Sequence, residues 1–78
     1  MIEPCPDYPT REHLDNWFSY HSPVGDQQAR YQAIRDAAHN LATIILDACP
    51  QSADRTDAIR GIRKAVMIAN ASIACGGR

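Results

Sequence analysis

Residues 26–78, DQQARYQAIRDAAHNLATIILDACPQSADRTDAIRGIRKAVMIANASIACGGR, decide the fold. From Asp26, placed as an N-cap, to Ala48 there is no glycine or proline, and Ile34, Ala37, Ala38, Leu41, Ile44, Ile45 and Ala48 recur at helical spacing. The spacing predicts one long amphipathic helix. Cys49-Pro50-Gln51 ends it, because the residue before a proline is steered out of the helical region. Ser52 then caps a second helix with Asp54 and Asp57 in or near its first turn, carboxylates that complement the helix dipole. Ile59, Ile62, Val66, Ala69 and Ile73 mark its apolar stripe, and Gly76-Gly77 closes it. So short a connection between two long helices implies an antiparallel hairpin. Alanine is frequent in both helices, either as the best helix former or because small side chains allow close approach. Gly61 costs its helix about 1 kcal/mol relative to alanine and reads as a place where another backbone or a ligand comes near.

Towards the N-terminus, Tyr20-His21-Ser22-Pro23-Val24-Gly25 contains two breakers and reads as a loop. Before it, Thr10 stands at an N-cap position with His13 three residues on, and Leu14, Trp17 and Phe18 follow helical spacing, so a short helix is expected over 11–19 with Trp17 and Phe18 in the core. Residues 1–10 hold Pro4, Pro6 and Pro9 and read as a proline-rich arm, leaving 11–78 as a single helical domain. The fold class is all-α: a short helix followed by a long helical hairpin.

A chain of 78 residues leaves much of its surface unburied, so its core needs a supplement. Cys5, Cys49 and Cys75 are odd in number and widely spaced, and the chain reads without a secretion signal, so reduced thiols are expected, with Cys49 packed. No cysteine pair has zinc-knuckle spacing, and His13, His21 and His39 form no i, i+4 pair, so no metal is expected. Oligomerisation remains. The longest apolar run falls short of a bilayer span, so no membrane partner is expected. A net charge of −1 lacks the positive field that long nucleic acids attract, whereas a small anion needs only a few placed donors.

No nucleophile stands beside a base, so no catalytic residue and no cofactor is indicated. Asp15, Asp26, Asp36, Asp47, Asp54 and Asp57 are scattered and read as solubilising or capping groups. The informative segment is Trp17, Phe18, Tyr20, His21 and Pro23, followed by Arg30, Tyr31 and Arg35. Aromatic faces stack on bases and guanidinium groups pair with phosphates, a mixture suited to a nucleotide, although Arg30 has a nearer partner in Asp26 four residues before it.

The order Phe18-Ser19-Tyr20-His21-Ser22-Pro23, then Tyr31-Gln32-Ala33-Ile34-Arg35, then Leu41-Ala42 with Ile45, Pro50 and Ala58, and finally Ala65-Val66-Met67-Ile68-Ala69-Asn70-Ala71-Ser72-Ile73-Ala74, resembles the phage anti-CBASS nucleotide sponges. The resemblance covers nearly everything from Phe18 to Ala74. It implies a helical protomer assembled into a hexamer in the host cytoplasm, binding cyclic dinucleotides between paired protomers and cyclic trinucleotides at threefold junctions, without degrading them. It implies that Tyr20 stacks on a base and that Arg35 takes the place of a phosphate-binding basic residue; His21, Pro23 and Tyr31, from the chemistry of the loop and its flanks, are further ligand-binding candidates. The family segment often continues from Ile-Ala into an arginine. Here Cys75 follows, and the next guanidinium, the remaining ligand-binding candidate, is Arg78.

A second reading is a small helical interaction module that inhibits a host protein through its apolar stripe. A helical DNA-binding regulator has only Arg55, Arg60, Arg63 and Lys64 in its favour.

Overall fold

The computed structural model describes residues 9–77, so most of the proline-rich arm and Arg78 lie outside the described residues. The described residues form three helices and no strand: α1 (Arg11–Trp17), α2 (Gln27–Ala48) and α3 (Ala53–Cys75). α1 is held at its start by a reciprocal cap. Thr10 Oγ1 accepts from the His13 main-chain N–H at 3.4 Å, and His13 Nδ1 accepts from the Thr10 N–H at 3.0 Å. The imidazole thus takes the reach-back part usually played by glutamate or glutamine. His13 is also the one buried side chain among the described residues, at 3 % exposure, with Trp17 tilted beside it at 6.0 Å between ring centroids. α1 stops at Trp17, two residues short of expectation, because Phe18 leaves the helical region at φ −101° and ψ 10°.

α2 starts after Asp26, whose carboxylate makes no cap bond but pairs with Arg30 Nε at 3.3 Å, the partner its spacing indicated. It ends where Cys49, before Pro50, turns extended (φ −102°, ψ 141°). Cys49 is exposed, not packed, because it falls on the connection. Ser52 caps α3 by accepting from the Arg55 N–H at 3.1 Å. The Arg55 side chain turns back to the Leu46 carbonyl at 3.2 Å, so the start of α3 satisfies the end of α2. Gly77 N–H reaches the Ser72 carbonyl and Gly76 N–H the Ile73 carbonyl, the paired bonds of a Schellman closure, with Gly76 at φ +68° where a side chain would be strained.

α2 and α3 pack side by side, with Gln27 reaching Ile73 at one end and Arg55 reaching Leu46 at the other. The facing stripes are Gln27, Tyr31, Ile34, Ala38, Ala42 and Ile45 on α2, and Ile59, Ile62, Val66, Ala69 and Ile73 on α3. They are only half-buried. Among the described residues no apolar side chain is fully buried, and Leu41, Ile44, Met67 and Ile68 stand exposed. Between the helices lies an apolar trough of about 290 Å³, lined by residues that include Ile34, Ala38, Ile62 and Ala69. Trp17 and Phe18, both expected in the core, are 37 % and 85 % exposed, Phe18 because it falls beyond the packed face of α1. At Gly61 a Cβ would meet nothing within 4 Å among the described residues, so none of them explains that glycine. No described helix is long and apolar enough to cross a membrane.

Candidate functional site

The segment 18–26 joins α1 to α2 and contains Tyr20, His21 and Pro23. Pro23 removes a backbone donor and Gly25 adopts φ +57°, so neither flanking helix runs through. The loop is nevertheless held. Ser19 Oγ donates to the Asp15 carbonyl, His21 Nε2 lies 2.6 Å from the Asn16 carbonyl, and Val24 N–H donates to Gln27 Oε1 at 3.0 Å. A carbonyl only accepts, so His21 carries its proton on Nε2 in this arrangement. Its imidazole is half-buried and turned towards α1.

Tyr20 is different. Its side chain is 86 % exposed and has no hydrogen-bond partner among the described residues. A phenol ring presented to solvent between fixed neighbours offers a flat face for stacking, which is how bases are held without sequence readout. Pro23 is exposed on the same loop.

On α2, Tyr31 and Arg35 stand four residues apart and share a face. Tyr31 is half-buried on the stripe that meets α3, and the register of the two helices sets it level with Asn70. Arg35 is exposed. Its guanidinium donates to Gln32 Oε1 at 3.3 Å, and Gln32 in turn donates to Asp36 Oδ1 at 2.8 Å, so the Gln32 amide links the guanidinium to the Asp36 carboxylate. Among the described residues no carboxylate pairs with Arg35, whereas Arg30 is engaged by Asp26. Arg35 is therefore the cation of this helix turn better placed to take a phosphate.

Arg78 lies outside the described residues. Three amides that the sequence does not single out border these candidates: Asn16, Gln27 and Asn70, the last quoted only within a motif. Asn16 Nδ2 donates to the Cys75 carbonyl at 3.2 Å, and Gln27 Nε2 to the Ile73 carbonyl at 3.4 Å. Asn70 Oδ1 is buried without a donor among the described residues, a state that costs about 1–3 kcal/mol until a donor arrives. Half-apolar positions occupied by amides, Gln27 and Asn70 on their stripes, were the available signal.

A polar hollow of about 450 Å³ lies at the start of α3, lined by Gln51, Ser52, Ala53, Thr56, Asp57 and Arg60. It is at the other end of the helix from Cys75, roughly 30 Å away at 1.5 Å per residue, and is no part of this site.

The family described as the Acb2/Tad1 hairpin domain matches residues 10–74, most of the chain. No curated protein and no solved structure matches it.

Proposed function

The chain belongs to the Acb2/Tad1 hairpin family of phage anti-CBASS cyclic-oligonucleotide sponges, and from that membership we propose that it binds cyclic dinucleotide messengers of bacterial immunity and withholds them from their effector without breaking a bond. Cyclic trinucleotides are the second ligand class. The observation that carries this reading is Tyr20, an unpartnered and exposed ring on a loop fixed at both ends. Tyr20 stacks on a base, Arg35 pairs with a phosphate oxygen, and Pro23 and Tyr31 flank them. Arg78 completes the set of cationic candidates.

The working form is a homo-oligomer, a hexamer by family likeness, built from the α2–α3 hairpin and acting in the host cytoplasm. Physical support comes from the absence of any fully buried apolar side chain among the described residues and from the exposed Leu41, Ile44, Met67 and Ile68. A second copy covering such exposed apolar side chains supplies the core that one chain lacks.

A sponge works by mass action and must hold its ligand more tightly than the effector does. Nanomolar affinity corresponds to about 12 kcal/mol. Stacking contributes about 1–3 kcal/mol per base, and charge-assisted bonds in a water-poor interface add to it. The test is to incubate the purified protein with cyclic GMP–AMP, denature it by heat and analyse the released nucleotide. Intact ligand is expected; linear products indicate a phosphodiesterase and overturn the reading.

The exposed apolar side chains also suit the alternative of an interaction module that inhibits a host protein. In that case Tyr20→Ala and Arg35→Ala leave anti-defence activity intact.

A further inference from the structure

Two side-chain amides bracket the loop that carries Tyr20, and both are tied to the last turn of α3. At the α1 end, Asn16 Nδ2 donates to the Cys75 carbonyl at 3.2 Å, while the main-chain carbonyl of Asn16 takes His21 Nε2 at 2.6 Å and the Cys75 thiol at 3.9 Å. At the α2 end, Gln27 Nε2 donates to the Ile73 carbonyl at 3.4 Å, while Gln27 Oε1 accepts the Val24 N–H at 3.0 Å. Each residue thus faces two ways, giving its amide N–H to α3 and receiving a bond from the loop.

The end of a helix explains why these donors go there. The last four carbonyls of an α-helix have no donor within it and carry the negative end of its dipole. Gly77 and Gly76 serve Ser72 and Ile73, and the Cys75 carbonyl is served by Asn16. Both residues are half-buried, so water competes less for these bonds than at an open surface.

We propose that Asn16 and Gln27 are positioning residues that hold the Tyr20–Pro23 segment on the last turn of α3 and so fix the Tyr20 ring before ligand arrives. The inference rests on the reading of Tyr20 as the stacking group. Neither amide touches ligand in it. His21 acts with them: its Nε2–H is committed to Asn16, so it orients the loop and does not contact phosphate through that atom. A loop ordered in advance loses less conformational freedom on binding, and the gain appears as affinity.

Asn16→Asp and Gln27→Glu preserve side-chain shape and the acceptor atoms but replace each amide N–H with a carboxylate oxygen facing the negative end of α3. Titration calorimetry with cyclic GMP–AMP is expected to show affinity at least tenfold weaker in each, with helix content and assembly mass unchanged. In ligand-free Gln27→Ala, which also removes the acceptor, the Val24 amide is expected to exchange at least tenfold faster while the Ala38 amide in mid-α2 keeps its protection. Tyr20→Ala is measured alongside. Loss of binding in Tyr20→Ala with native affinity in both isosteric variants overturns the positioning role and leaves the stacking site standing. Native affinity in Tyr20→Ala overturns the site and this proposal with it. Weakened binding accompanied by lost protection at Ala38 also overturns the proposal, since the residues then support the whole fold. Should Asn16→Asp fail to fold, Gln27→Glu carries the same comparison alone.

Discussion

The guanidinium of Arg55, in the first turn of α3, donates to the Leu46 carbonyl near the end of α2 at 3.2 Å. One basic side chain therefore closes the end of the neighbouring helix and fixes the short connection at Pro50. Arg55→Ala is expected to lower the thermal midpoint by roughly 5 °C, the equivalent of about 1 kcal/mol for a domain of this size. Ligand affinity stays as it was, because Arg55 is at the far end of the hairpin from Tyr20. Calorimetric melting with parallel ligand titration checks both.

The Thr10–His13 cap predicts a pair of opposite outcomes. His13→Gln keeps an acceptor for the Thr10 N–H and is expected to retain most of the stability of α1. His13→Ala removes it and is expected to cost about 1 kcal/mol or more, given the burial of the ring. Melting curves and amide exchange across 10–17 separate the two.

Tyr20→Ala is expected to weaken cyclic dinucleotide binding by about fivefold to 150-fold, matching the loss of about 1–3 kcal/mol of stacking. Tyr20→Phe keeps the ring face and stays near native. Equal losses in both variants would show that the hydroxyl is what the ligand uses.

Arg35→Ala is expected to weaken binding by tenfold or more, with the salt dependence of affinity reduced. Arg35→Lys keeps the charge but loses the planar fork, so an intermediate affinity is expected. Calorimetry at two salt concentrations tests this.

Met67 and Ile68 are 65 % and 60 % exposed on α3, and Leu41 and Ile44 of α2 are exposed as well. Met67→Glu combined with Ile44→Glu is expected to reduce the mass of the assembly measured by light scattering. An unchanged mass would assign the contact to another face.

The helices were legible because their signals are local. Three- and four-residue spacing set α2 and α3, the Cys49-Pro50 step ended one, Ser52 opened the next, and the Asp26–Arg30 pair follows from the same turn geometry. Errors arose where burial depends on the end of an element: Phe18 falls just past the packed face of α1, and Cys49 on the connection. The aromatic and basic candidates were legible from chemistry, but their support was not. Asn16 and Gln27 act on carbonyls in a helix far along the chain, and an amide that bonds a distant main-chain atom leaves no periodic trace.

The bond from Asn16 to Cys75 joins the first helix to the last turn of the third. The α2–α3 pairing grows from a tight connection by contacts that begin close in sequence, a rapid process with little loop-closure entropy to overcome. α1 and its loop acquire their anchor only after the final turn of α3 exists. Among the described residues, the loop that carries Tyr20 is therefore anchored only after α2 and α3 have paired, so in the proposed function the two long helices form before the surface that would take the ligand is set.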